Sequence, residues 1–233
     1  LKPPPCRAGA ARRPCRMALG PCRVLVVDCG GVTNEDSGLK ETARRRAPEG
    51  AGDDIAKAAK AVWNVHRDDP AVEKEAFWLE VCQACQLDAA RAPELHREVA
   101  ATLRTSFPET LQLLRQAKEK GVVLGMISNH LSFLFEECAD ASGIYDLIPK
   151  ELVVVSSEAA CSKPGTKIFE VFLARLQALH PDLGAQDCAF VDDKEENVAA
   201  ASSLGFRGVQ YDARKAAPGD LARALQNVGL ELG

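Results

Sequence analysis

From residue 122 onward the chain alternates short apolar runs with helix-patterned stretches, and that rhythm leaves few folds open. Residues 122–127 (VVLGMI), 152–155 (LVVV), 188–191 (CAFV) and 208–211 (GVQY) read as strands, interleaved with helical segments near 131–139, 166–179, 196–204 and 219–228. Strands that alternate with helices build βαβ units, so the expected fold class is α/β: a Rossmann-like parallel sheet core sandwiched by helices. An earlier run, VLVV at 24–27, stops abruptly at Asp28, Cys29, Gly30 and Gly31. An all-apolar run ending at a polar residue and a glycine turn reads as a strand buried on both faces that delivers Asp28 to the rim of the sheet. Residues 107–121 (FPETLQLLRQAKEKG) carry the marks of a helix. Pro108 sits near its first turn with Glu109 behind it, Leu111, Leu114 and Ala117 share one face, and Gly121 follows the end.

Residues 37–106 break the alternation. They hold helical patterns in DDIAKAAKAVWNVH, VEKEAFWLEVCQAC and APELHREVAATLR with little strand signal between, which reads as a helical insertion after the first strand. Trp63, Phe77, Trp78 and Leu79 are expected to form a small core inside it. Arg44, Arg45 and Arg46 read as a solvated basic face, with an anionic substrate as the other option.

The formal charge is -4, yet residues 1–22 contain five of the 29 Lys and Arg residues and no acid, so the remaining 24 basic and 33 acidic residues put the body near -9. An acidic body argues against nucleic acid as a partner. No stretch reaches the roughly 18 apolar residues of a membrane span. The proline- and arginine-rich residues 1–21 read as a disordered or targeting-like leader, which makes the expected location cytoplasmic, or an organelle lumen if the leader is a transit peptide. Nine scattered cysteines imply no disulfide framework, and Cys82 and Cys85, although spaced as a redox or zinc pair, lie in a helical pattern without a second ligand pair.

Three further strand ends carry chemistry. GMISNH ends in Ser128 and Asn129, ACSKPG places Lys163 before a proline and a helix, and CAFVDDKEEN ends its strand at Asp192 and Asp193. In a parallel sheet the C-terminal strand ends share one rim, so a carboxylate, a hydroxyl, an amine and an acidic pair converge there. Converging carboxylates need a cation, and an all-oxygen ligand set suits Mg²⁺. An aspartate between a Mg²⁺ and a lysine stays ionised and can attack phosphorus, which makes Asp28 a candidate nucleophile that forms an aspartyl-phosphate.

In order and content these four segments resemble the motifs of the haloacid dehalogenase-like hydrolase superfamily. The forms DCGGV and VDDKEENV resemble the subgroup of small sugar-phosphate phosphatases and the amino-terminal phosphatase domain of soluble epoxide hydrolase. The resemblance implies a Rossmann-like core from residues 22–36 and 107–233 and a helical cap of the first type from 37–106. It implies catalytic Asp28 and Lys163, phosphate binding by Ser128, Asn129 and Lys163, and Mg²⁺ binding by Asp28, the Gly30 carbonyl, Asp192 and Asp193. Asn197 is expected to support the last of these loops.

One position departs from that pattern. The family's first motif has a second aspartate two residues after the nucleophile as general acid and base, and here that position is Gly30. Proton transfer of this kind is worth about 10²- to 10⁴-fold in rate. Glu35, Asp36 and His66 are candidate substitutes, nearby only in sequence. The expected function is therefore a Mg²⁺-dependent phosphatase of a small phosphorylated metabolite. The alternative is a catalytically weakened relative that binds a phosphorylated ligand or a protein.

Overall fold

The computed structural model describes residues 20–36 and 38–232; the expectation of a leader falls on residues 1–19 for the most part, outside the described residues. Five strands, β1 (Val24–Val27), β2 (Val123–Ser128), β3 (Val153–Val155), β4 (Cys188–Asp192) and β5 (Arg207–Gln210), form one sheet in the order β3-β2-β1-β4-β5. Every neighbouring pair is parallel. This is the α/β Rossmann-like arrangement expected of the alternation, and each strand lies within one residue of its expected place. β1 is central and every residue of VLVV is buried. Continuous Val and Leu suit it because helices cover both faces of the sheet.

The segment between β1 and β2 contains α1 (Leu39–Arg46), α2 (Gly52–His66), α3 (Lys74–Ala84), α4 (Ala92–Leu103) and α5 (Pro108–Glu119). The rest of the chain adds α6 (Ser132–Ser142), the short α7 (Ile144–Leu147) and α8 (Ser156–Ala159), α9 (Lys167–Leu179), α10 (Glu195–Ser203) and α11 (Asp220–Asn227). Pro108 opens α5 as its first residue, where the missing N–H has no helical partner to lose.

Trp63, Phe77 and Trp78 are buried among α2 and α3, and Phe77 meets Trp63 and Trp78 edge to face at 6.3 and 5.0 Å between ring centroids. Leu79 departs from expectation: it is 49% exposed, because it follows Trp78 on the helix and so turns away from the face those rings bury. The arginine run is largely neutralised. Arg46 pairs with Glu94 and Glu98, Arg45 approaches Glu98, and Arg44 pairs with Glu41 and Asp53. Phe172 of α9 packs against Gly125 of β2, where an added Cβ would come within 2.4 Å of the ring. Phe169, Phe190 and Phe206 continue that packing.

The seven cysteines among the described residues are free, and Cys82 and Cys85 are buried apolar residues of the α3 end. No helix among the described residues is long and apolar enough to cross a membrane.

Candidate active site

The strand order puts the site residues on adjacent strands. Val27 of β1 registers with Met126 of β2 and Val191 of β4, so Asp28 and Asp192 emerge side by side at the C-terminal rim, with Ser128 one residue further along β2. Lys163 reaches them from the loop after α8. Asp28, Ser128, Lys163 and Asp192 are all buried.

Lys163 is the hub. Its ammonium lies 2.9 Å from Asp28 Oδ1 and 2.7 Å from Asp192 Oδ2, and it donates to the Ile127 carbonyl at 2.7 Å. It also stands 5.5 Å from the Phe190 ring centroid. Burial opposes its charge, but the carboxylates of Asp192 and Asp28 win and raise its pKa.

The two aspartates respond differently. Burial pushes the Asp28 carboxyl up to about 7 against the pull of Lys163, with the Asp192 charge adding to the rise. Asp192 is equally dry, yet Lys163, the Lys194 N–H and the Asn197 amide hold it below the usual carboxylate range. The difference is hydrogen bonding to the charged form. Asp192 Oδ2 receives Lys163 and Oδ1 receives two further donors, whereas Asp28 Oδ1 receives the Cys29 N–H at 2.7 Å and Lys163.

Asp193 turns toward the same space. One carboxylate oxygen from each of Asp28, Asp192 and Asp193 can be chosen so that all lie within 4.8 Å of one another, a separation that one divalent ion can bridge. The donors are all oxygen, and burial of Asp28 beyond what Lys163 compensates is the feature that a further cation relieves, so the residues fit Mg²⁺. Lys194 and Arg214 also pair with Asp193, at 3.3 and 2.9 Å.

Ser128 and Asn129 lie on the same rim, but their side chains differ in use. Asn129 Nδ2 donates to the Lys163 carbonyl at 2.7 Å and its Oδ1 accepts the Lys163 N–H at 2.9 Å. That two-way bond ties the β2 end to the lysine loop and leaves the Asn129 backbone as its route to a ligand. Asn197 does hold Asp192, as expected of a supporting residue.

At Gly30 a Cβ would stand 2.6 Å from Asp36 Oδ1, so the Asp36 carboxylate already fills the start of the volume a side chain at position 30 would take. Arg214 holds Asp36 from the other oxygen, Oδ2, at 2.5 Å. Of the three sequence neighbours considered as substitutes, Asp36 lines the cavity over Asp28 and Glu35 does not. His66 is bonded to Glu80 at 2.5 Å and does not line it.

The cavity, of about 780 Å³, is roofed by α1 and α2 with Leu103 of α4. His130 forms part of its wall. Burial pulls this imidazole down to about 4, and its Nδ1 bonds the Leu131 carbonyl at 3.0 Å, so the neutral ring carries its proton on Nδ1 and leaves Nε2 as a buried acceptor without a protein partner. Arg214, Lys194 and His130 were not among the residues expected from the sequence. Arg214 had a signal, because it closely follows β5 on the same rim.

A family signature described as haloacid dehalogenase-like hydrolase matches residues 22–205. The chain belongs to that family. As a haloacid dehalogenase-like hydrolase it is 25% identical over 167 residues to a phosphoserine phosphatase of Thermus thermophilus, covering 66% of this chain and 64% of the relative. It is 30% identical over 118 residues to the sesquiterpene phosphatase astK of Aspergillus oryzae, covering 48% and 57%, and 28% identical over 106 residues to a ribulose-1,5-bisphosphate 5-phosphatase of Halopiger xanaduensis, covering 45% and 41%. The hydrolase chain thus spans less than two thirds of the length of each of these relatives. Among solved structures, a family enzyme of Bacteroides thetaiotaomicron superposes with a TM-score of 0.64 at 16% identity, covering 86% of this chain and 98% of that one. L-2-haloacid dehalogenase of Xanthobacter autotrophicus superposes with a TM-score of 0.55 at 16% identity, covering 79% and 75%. At these identities the structures speak for the fold alone.

Proposed function

We propose that the protein is a Mg²⁺-dependent phosphatase that hydrolyses a small phosphorylated metabolite through an aspartyl-phosphate on Asp28. The observation that carries this reading is the buried Asp28 carboxylate, paired with Lys163 through Oδ1, in a cavity shared with Ser128 and within 4.8 Å of Asp192 and Asp193. The phosphatase names of the three sequence relatives support it. Asp28 Oδ2 attacks phosphorus in line, the bond to the ester oxygen breaks, and that oxygen leaves with the electron pair. Lys163, the Ser128 hydroxyl and the Asn129 N–H hold the phosphoryl oxygens. Water then attacks phosphorus, and the electrons of the Asp28–phosphorus linkage return to the carboxylate.

Asp28, Asp193 and the Gly30 carbonyl would hold the metal, with Asp192 contributing from the lone pairs its hydrogen bonds leave. When bound, Mg²⁺ would neutralise the acidic cluster and polarise the phosphoryl group. Asp36 would take the attacking water's proton on Oδ1 and release it to solvent, since its side chain is 51% exposed. Residues 37–106 would act as the helical cap over this centre, with residues 22–36 and 107–233 as the catalytic core.

The competing reading, a weakened relative that only binds, drew on Gly30. The Asp36 carboxylate beside Gly30 weighs against it. Phosphate release should be Mg²⁺-dependent across a panel of sugar phosphates and 4-nitrophenyl phosphate, and Asp28→Asn should abolish it. Undiminished turnover in Asp28→Asn would remove the nucleophile; tight binding of the panel by the wild type without turnover would favour the binder.

A further inference from the structure

Beyond Asp28 the cavity carries positive charge that the described residues neutralise only in part. Lys60, Trp63, Asn64 and Arg67 follow one another at intervals of three, one and three residues, so α2 and its C-cap turn one stripe into the cavity. The other cations at this level mostly have partners: Lys163 has Asp28 and Asp192, Lys194 has Asp193, Arg214 has Asp36, Asp193 and Asp212, and Arg44 has Glu41 and Asp53. Among the described residues Lys60 has no carboxylate within ion-pair reach; its partner is the Trp63 ring, 5.7 Å from the ammonium. Arg67 has one loose neighbour, Asp68 at 3.8 Å, and its buried Nε makes no hydrogen bond.

The surroundings of Lys60 reflect this imbalance. Burial pulls its ammonium down to about 8, and the charges of Arg67, Lys194 and Lys40 push the same way against Asp36. Lys163 is buried but has the Asp28 and Asp192 carboxylates beside it, and the half-exposed Lys194 has Asp193. A partly buried cation in a positive field lacks its counterion. The Arg67 backbone is also fixed in place. Its carbonyl accepts the Ser156 hydroxyl at 2.5 Å, and Asp68 accepts the Ser162 hydroxyl at 2.7 Å, one residue before Lys163. These bonds set the end of α2 against the loop that carries Lys163, so the two cationic places keep a constant separation.

We propose that Lys60 and Arg67 form a second anion subsite, which takes the carboxylate or second phosphate of a substrate whose phosphate monoester lies at Asp28. This deepens the phosphatase reading and rests on it. The substrate class it names is a small phosphate monoester with a further acidic group, rather than a neutral polyol phosphate or an apolar alkyl phosphate. Trp63 and Asn64, between the two cations on the stripe, would face the carbon chain that links the acidic groups.

Two matched pairs test it on the full chain with Mg²⁺: 3-phosphoglycerate against glycerol 3-phosphate, and fructose 1,6-bisphosphate against fructose 6-phosphate. The first pair differs by a carboxylate and the second by a phosphate. The doubly acidic member should be favoured in kcat/KM by about tenfold or more in at least one pair, the size of one charge-assisted contact. The same ranking should appear in calorimetric Kd values for Asp28→Asn, which reports binding without turnover. Lys60→Gln and Arg67→Gln should each bring the ratio toward one, and Arg67→Lys should keep most of it. Both positions are partly exposed, and circular dichroism verifies the fold of each variant. A wild-type ratio near one in both pairs, or a ratio that neither glutamine variant changes, overturns the subsite while leaving the phosphatase intact if 4-nitrophenyl phosphate is hydrolysed. Failure to hydrolyse any of the five esters overturns the phosphatase reading and the subsite with it.

Discussion

Asp28→Asn should stabilise the metal-free protein at alkaline pH while abolishing turnover. In the folded chain the Asp28 carboxyl titrates near 7 against an ordinary value of 3.8. Between those values the folded state keeps a proton that the unfolded state has released, so stability falls as pH rises through that window and is lost in full above 7. Three units at 1.36 kcal/mol each set a ceiling of about 4 kcal/mol, and the two units between pH 5 and pH 7 account for about 3 kcal/mol of it. The attraction of Lys163 is already contained in that position, so its loss in the variant needs no further deduction. Urea unfolding in EDTA at pH 5 and pH 8 measures the effect, and comparison of wild type with variant cancels the other titrating groups. The wild type should lose on the order of 3 kcal/mol more than the variant between the two pH values. Mg²⁺ at pH 8 should return stability to the wild type and not to Asp28→Asn. If the two proteins instead show parallel pH dependence, burial does not leave Asp28 uncompensated, and the case for a resident cation loses its physical ground.

Two further outcomes follow from the same geometry. Asp36→Ala should slow hydrolysis by about 10²-fold or more. Gly30→Asp alone should add little, because its Cβ would meet Asp36 Oδ1 at 2.6 Å, but it should recover rate in the Asp36→Ala background; equal effects of Gly30→Asp in both backgrounds, read from kcat with 4-nitrophenyl phosphate, would separate the two positions. Lys163→Met leaves Asp28 and Asp192 without their shared cation, so the metal-free variant should lose about 3–5 kcal/mol in urea unfolding at pH 8. A loss under 1 kcal/mol there would mean that the two carboxylates are stabilised by other means.

What could be read from the chain alone was whatever a local pattern encodes. A strand buried on both faces must be apolar throughout, so VLVV and CAFV announce themselves, and the parallel βαβ rule then carries Asp28, Ser128 and Asp192 to one rim without any knowledge of distances. Side-chain partnerships are of another kind. Asn129 stands beside Ser128 in sequence, which groups the two as phosphate ligands, yet its amide is bonded on both sides to the backbone of Lys163, 34 residues away. Leu79 follows Trp78 in an apolar run, but a single step along a helix rotates a side chain by about 100° and here turns it to solvent. The relation of Gly30 to Asp36 was the least legible. A glycine in place of an acid reads as a deletion, and only the turn through residues 31–35 decides whether another carboxylate comes back to the same point. That turn is held by the Gly31 N–H bonded to the Asn34 carbonyl, by the Asn34 amide bonded to the Leu103 carbonyl, and by the Glu35 N–H bonded to Thr105. The last two contacts come from the end of α4 and the loop beyond it. The position of Asp36 thus depends on how the helices between β1 and β2 pack against the sheet, and so does the stripe of α2 that carries Lys60 and Arg67.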